Sequence, residues 1–366
     1  MPLVSSATDP RPEKQEKQPA SDDIIEVAPG VLRMQLPISL PGLGHVNCYV
    51  LTDADGITVV DPGLPGPQSW KALKQRLAAT GNKVADIRRV VVTHSHPDHF
   101  GGAGTIRHES GADIITHETF RTWFDPTEEE GEADDAADEA GDPVRATSPF
   151  GRTVPWGGAT FKPPNKRRLR YRMMRTLGKK FMRPPTPTVR LADAERISIG
   201  GHEWVAMHTP GHTPDHLCLY APDAGVVLSG DHVLPTITPH ISGLSAGADP
   251  LDAFFASLDR MAELDGITQV LPAHGQPFTD LAGRANAIKD HHQERLATLR
   301  EATARIGPAT VTALSKELFR PKSWGQMAES ETYAHLEHLR HAGEATSKWD
   351  EDNLLFEISP EVAETI

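Results

Sequence analysis

Apolar and polar positions alternate in short blocks through the first third of the chain. Ile24 to Val27 and Val31 to Leu36 read as paired strands around Pro29-Gly30. Val46 to Leu51 and Ile57 to Val60 read as the next hairpin, turned at Asp55-Gly56. Gln68 to Thr80 has helical spacing instead, with Trp70, Leu73 and Leu77 on one face and Gly81 just past its end. Val90-Val91-Val92 is the β-branched run expected of a strand covered on both faces. A helix near 102–109 and a strand near 113–116 complete this half. The same alternation predicts strands near 197–199, 202–208, 217–220, 226–228 and 268–271, and a helix over 250–264. Two strand–helix halves of this kind predict an α/β sandwich with pseudo-symmetry, covering about residues 21–283. The last part, 284–366, reads as helices over 284–306, 310–318 and 330–342, then two short strands near 347–349 and 354–356. Helix, helix, hairpin is the order of a winged helix.

The pattern fails in two places. Residues 1–20 are rich in Pro, Lys, Glu, Gln and Ser, a composition that predicts a disordered tail. Between 121 and 192 the alternation stops. Glu128 to Asp142 holds nine acidic residues and no basic one, and Lys162 to Arg183 holds ten basic residues and no acidic one. This stretch reads as an insertion. Within it Leu169, Met173, Leu177 and Phe181 recur every fourth position among Arg and Lys, which predicts a basic amphipathic helix over 167–182. Its apolar stripe has three open uses: packing on its own domain, covering the mouth of a site, or lying on a membrane surface.

The chemistry concentrates where the strand at 90–92 ends. His94, His96, Asp98 and His99 fall within six positions. In an extended segment residues i and i+2 share a side, so His94 and His96 can grip one ion. Pro97 turns the chain, and Asp98 and His99 then face a second ion. Gly101-Gly102 allows close backbone approach. Imidazole with carboxylate is a ligand set for zinc and related transition metals.

His94-Ser95-His96-Pro97-Asp98-His99 matches the HxHxDH signature of the metallo-β-lactamase-fold hydrolases. Pro210 to Pro214, Gly230-Asp231-His232 and Pro272 to Gly275 resemble that family's later segments in order. The resemblance spans about residues 24–295. It departs at Asp215 and Ala273, where Gly is common. It implies a four-layer αββα sandwich and a dinuclear centre. His94, His96 and His212 would hold the first metal; Asp98, His99 and His274 the second; Asp231 would bridge. Two Zn2+ per chain are expected, with Fe or Mn open because ligands alone do not identify the metal. Asp98 is also the candidate catalytic residue, orienting the nucleophile or carrying its proton. Asp61, at the end of its strand, is either a partner behind a ligand histidine or a turn-forming residue. His216, His232 and His240 read as supporting or rim histidines, because the seven candidates already fill the pattern. The tail and His291 to Arg295 resemble the branch of the family with a C-terminal winged helix, which includes an endoribonuclease and fungal polyketide thioesterases.

The formal net charge of −13 and pI of about 5.7 disfavour a general polyanion binder. Over 307–366, five basic residues against eleven acidic ones give 5 − 11 = −6, so this tail is expected to be a structural or dimer-forming module. Two cysteines without a CxxC pair fit a reduced compartment. No stretch approaches the roughly 20 apolar residues of a transmembrane helix. The expectation is a soluble cytoplasmic enzyme that uses a metal-bridging hydroxide on a small ester, thioester or lactone. Three other readings stay open: a nuclease cutting RNA phosphodiesters, an iron-dependent oxidoreductase resembling persulfide dioxygenases, and a metal-dependent sensor.

Overall fold

The structure is a computed structural model that describes residues 14–40, 42–122, 154–157, 183–245 and 247–359. Seven strands form the first sheet: β1 (Ile24–Ala28), β2 (Val31–Leu40), β3 (Leu43–Asp53), β4 (Gly56–Val60), β5 (Ile87–Val91), β6 (Asp113–His117) and β7 (Val189–Leu191), in sequence order. The first four are antiparallel neighbours and β4 to β7 run parallel. The second sheet has the order β12-β11-β10-β9-β8, from β8 (Arg196–Ile199), β9 (His202–His208), β10 (Leu217–Ala221), β11 (Val226–Gly230) and β12 (Gln269–Pro272).

The period of two in each strand sorts the side chains into layers. Tyr49, Leu51, Val60, Val91 and Ile115 of the first sheet meet Trp204, Leu217, Leu219, Leu228 and Leu271 of the second in one buried cluster. The neighbours of these residues point outward. Cys48, Val50, Val59, Val90 and Ile114 pack under α1 (Pro67–Ala79), α2 (Pro97–Phe100) and α3 (Ala103–Ser110), through Leu73, Leu77, Phe100 and Ile106. Cys218, Val227 and Val270 pack under α4 (Pro250–Ala262) and α5 (Leu281–Ile306), through Phe254, Leu258 and Ile288. Helices therefore cover both outer faces of two stacked sheets. Asp249 and Asp280 cap α4 and α5, accepting from Asp252 N and Gly283 N.

After α5 come β13 (Ala309–Thr310), α6 (Val311–Leu318), α7 (Gln326–His341) and the hairpin β14 (Ala345–Asp350) and β15 (Asn353–Ile358), in a sheet of order β13-β15-β14. Leu314, Leu336, Leu339 and Phe356 belong to the same apolar cluster as Phe254 and Ile288. One core thus runs from the second sheet into the C-terminal module. Val154 to Gly157 docks there too. Leu354 N donates to Trp156 O at 3.0 Å, and the buried Trp156 ring lies 5.2 Å from that of Tyr333.

Two expectations change. The composition of residues 1–20 predicts disorder, yet residues 14–20 are ordered, with a 3-10 turn at Gln15–Lys17. Glu16 is fully buried, because its carboxylate accepts from Thr236 N, Thr236 Oγ1 and Ile237 N. A charge with three donors is compatible with burial, and composition does not report partners. The 121–192 insertion ends earlier than expected, since Val189–Leu191 is a strand of the first sheet. The amphipathic stretch 167–182 lies outside the described residues. Among the described residues no helix is long and apolar enough to cross a membrane.

Candidate metal centre

β5 delivers the chain to the site, and the turn that follows is set by its own residues. Pro97 takes the first position of α2, where its missing N–H costs nothing, and His96 stands at the cap position before it. Asp98 and His99 then lie on that short helix beside His94 and His96. The glycines behind them are required by contact. A Cβ on Gly101 would lie 2.1 Å from Pro65 Cδ and one on Gly102 2.5 Å from Pro62 O. From the second sheet, His212 comes on the loop after β9, Asp231 directly after β11 and His274 after β12.

These residues converge into two groups. His94, His96, His212 and Asp231 each offer a ligand atom within 4.8 Å of one another, and so do Asp98, His99 and His274. His96 Nδ1 lies 3.0 Å from His94 Nε2 and 3.1 Å from His212 Nε2. Asp231 sits between the groups. Its Oδ2 is 4.0 Å from His94 Nε2 and 3.6 Å from both His212 Nε2 and His99 Nε2, while Oδ1 is 3.4 Å from His274 Nε2. Asp98 Oδ2 is 3.6 Å from His99 Nε2 and 3.5 Å from His274 Nε2.

The inward nitrogens are aimed by the bonds their opposite nitrogens make. His99 Nδ1 meets Asp61 Oδ2 at 2.8 Å. The same carboxylate accepts from Thr93 Oγ1 and Thr93 N, and Thr93 Oγ1 meets His94 Nδ1 at 3.0 Å. His212 Nδ1 donates to His240 O at 2.8 Å and His274 Nδ1 to His45 O at 2.7 Å. Asp61 is therefore the partner behind two histidines, and its φ of 52° also makes it the turn residue.

Burial depresses His94 far below the usual histidine range and His96 to about 3, with neighbouring imidazoles adding to the effect. Burial acts on His274 and His99 in the same direction, but carboxylates win. Asp231 and Asp98 bring His274 up to about 10, and Asp231, Asp98 and Asp61 hold His99 well above its usual value. Burial would raise Asp98 too, but His99 and His274 bring it to about 2. The buried carboxylates thus demand nearby positive charge. His99 Nε2, His274 Nε2 and Asp231 Oδ1 are buried without a hydrogen-bond partner. Orphaned polar atoms of this kind, gathered at one point, fit metal ions.

The remaining histidines stay outside the groups. His216 Nε2 accepts from Asp231 N at 3.0 Å, and its Nδ1 meets Thr209 Oγ1. His232 packs edge-on against Phe254, and His240 contributes its carbonyl. Sequence reading missed Thr93, His45 and Asp215. Ser95 Oγ donates to Asp215 Oδ1 at 3.1 Å, stitching the His212 loop to the His94–His99 turn, and burial raises the Asp215 carboxyl to about 6. A carboxylate where Gly is common was the available signal for Asp215.

The profile of the Metallo-beta-lactamase superfamily matches residues 41–274, which include all seven candidates. The chain belongs to that superfamily. Metallo-beta-lactamase relatives extend over nearly its full length. It is 27% identical to "Probable metallo-hydrolase YqjP" of Bacillus subtilis over 92% of this chain and 98% of that one. It is 27% identical over 72% of its length to the linear primary-alkylsulfatase of a Pseudomonas, covering 46% of that protein. Among solved structures, a metallo-beta-lactamase family protein from Thermus thermophilus superposes with a TM-score of 0.69 at 27% identity, covering 91% of this chain and all of that one. A beta-lactamase domain protein from Burkholderia ambifaria gives 0.69 at 25% identity, covering 93% and 96%. The protein is a metallo-hydrolase.

Proposed function

We propose that the protein is a dinuclear hydrolase of a small ester, thioester or lactone, with His94, His96, Asp98, His99, His212, Asp231 and His274 as ligands of two zinc ions. The carrying observation is the pair of ligand groups on either side of one carboxylate, Asp231, with three buried polar atoms left unpaired. Two ions held by these residues would lower the pKa of water towards about 7 and polarise a substrate oxygen. Five neutral imidazoles and two carboxylates contribute −2, so two divalent ions there would leave positive charge to stabilise a developing oxyanion. Asp61 and Thr93 hold the tautomers of His99 and His94, and the carbonyls of His45 and His240 hold those of His274 and His212. Asp98, a carboxylate at the centre, orients the attacking water and accepts its proton. The water oxygen bonds to the acyl carbon, the bond to the leaving oxygen or sulfur breaks, and the proton passes to the leaving group.

Residues 284–366 we read as a winged-helix module, on the order α6, α7, β14–β15 hairpin. Its net charge of 5 − 11 = −6 over 307–366 opposes phosphate binding. Arg340, the one Lys or Arg within 330–342, is paired with Glu337 at 2.6 Å. Both facts favour a small-molecule substrate over nucleic acid. A panel of ester, thioester, lactone, phosphodiester and RNA substrates, run with elemental analysis of the purified protein, tests the assignment. Turnover of an acyl substrate that stops on chelation and returns with Zn2+ is expected. Cleavage confined to RNA or phosphodiesters would overturn it.

A further inference from the structure

The chain between Asp231 and α4 has no helix or strand among its described residues. Glu16 and Arg284 hold its first part, at 234–237, and α7 anchors the part that follows. Gly243 N donates to Ser330 O at 3.1 Å, and the Ser242 and Ser330 hydroxyls are 3.1 Å apart. His338 Nδ1 meets Asp249 Oδ2 at 2.9 Å. A Cβ on Gly243 would lie 2.7 Å from both Ser330 O and Tyr333 Cδ1, so the loop touches the helix backbone. At the start of this contact, His240 Nδ1 meets Glu331 Oε2 at 3.3 Å. Glu331 is buried, and its other oxygen takes the guanidinium of Arg295. Burial opposes its ionisation, but the hydrogen bond from His240 and the charge of Arg295 bring it to about 2. The His240 ring that it holds belongs to the residue whose carbonyl accepts from His212 Nδ1.

We propose that Glu331 is a positioning residue of the metal centre: by fixing His240 it aims His212, so the C-terminal module builds part of the site. This rests on the reading of His212 as a ligand. The Glu331 carboxylate bonds to His240 and Arg295 and acts on His212 through one side chain and one peptide group. Partners standing behind a ligand are worth about 10–100-fold in metal affinity, and the same range is expected here.

The test uses the full-length protein, titrated with Zn2+ against a chromophoric chelator and with Co2+ followed by its visible spectrum. Wild type is expected to take two ions. Glu331→Ala and His240→Ala should each weaken one ion by about 10–100-fold and shift the Co2+ spectrum. His240→Ala keeps the carbonyl and loses only the ring, so it carries the test if Glu331→Ala does not fold. Glu331→Gln retains an acceptor for the ring and should recover most of the affinity. The double variant should bind no more weakly than the weaker single, since both remove one contact. A lowered melting temperature of the metal-free variants with unchanged Zn2+ affinity would overturn the proposal, as would additive losses in the double variant. His94→Ala separates the two readings. If it leaves the Zn2+ stoichiometry unchanged, the ligand assignment itself fails; if it lowers it while Glu331→Ala and His240→Ala bind as wild type, only the role of Glu331 fails.

Discussion

His94, His96, Asp98 and His99 reach the cluster from six consecutive positions, whereas His212, Asp231 and His274 reach it from three separate loops of the second sheet. The first set is braced from close by. Asp61 ends the strand beside β5, and through Thr93 and His99 it orients two imidazoles within that sheet. The second set is braced from afar. His212 depends on the His240 carbonyl, which lies under α7, and His274 on the His45 carbonyl. The His45 ring in turn meets Gln18 O of the N-terminal segment. One half of the site is a property of a strand and its turn. The other half is a property of how the two ends of the chain pack.

The largest effect should come where the halves meet. Asp231→Ala should remove both ions and reduce activity to background, because Asp231 faces both ligand groups. His274→Ala should leave about one ion per chain, as expected when one terminal ligand of a two-metal site is lost. Elemental analysis of the two proteins side by side checks this, and two full metals in Asp231→Ala would sink the bridging role.

A smaller loss is expected at the brace of the first set. Asp61→Asn keeps a residue that tolerates the left-handed backbone at φ 52°. It removes the charge behind His99 and one of the two oxygens that accept from Thr93 and His99. Zn2+ affinity should fall by about 10–100-fold with little change in the melting temperature of the metal-free protein. An unchanged affinity would mean that the first set needs no brace.

The smallest effect concerns acid and the module behind the second set. His292 and His335 are buried and meet at 3.0 Å across α5 and α7. Burial holds both down, to about 2 and about 4, and the charge of His335 lowers His292 further. A histidine lowered in the folded state contributes stability that is complete above its unfolded pKa of about 6.5. That contribution is lost as pH falls from there towards 4, because the unfolded chain binds the proton first. Urea midpoints of the metal-free protein should therefore drop between pH 7 and 4.5, and the drop should be shallower in His292→Leu. An equal slope in that variant would remove the histidine pair as its cause.

The strands and helices were legible because each carries its period locally. The Val90 to Val92 run, the helical spacing of Leu73 and Leu77 and the alternation of Leu217 to Tyr220 all sort into the layers that the period requires. The seven candidates were legible for two different reasons. Four stand together in one turn, and three stand in short segments that resemble a known family. The braces were not legible. His212 and His240 are 28 positions apart, His240 and Glu331 are 91, and His274 and His45 are 229. A carbonyl acceptor also leaves no residue-type signal, since every residue has one.

By itself, then, the sequence determined the element types, the turn that gathers His94 to His99 and the metallo-hydrolase family, since these depend on spacing and side-chain type within a few residues. Only the tertiary structure decided that Glu16 is buried, that Trp156 docks on the C-terminal hairpin, and that the tail shares a core with the second sheet. It also decided which groups stand behind each imidazole. A hydrogen bond needs its partners within about 3 Å in space, and separation along the chain says nothing about that until the layers have closed.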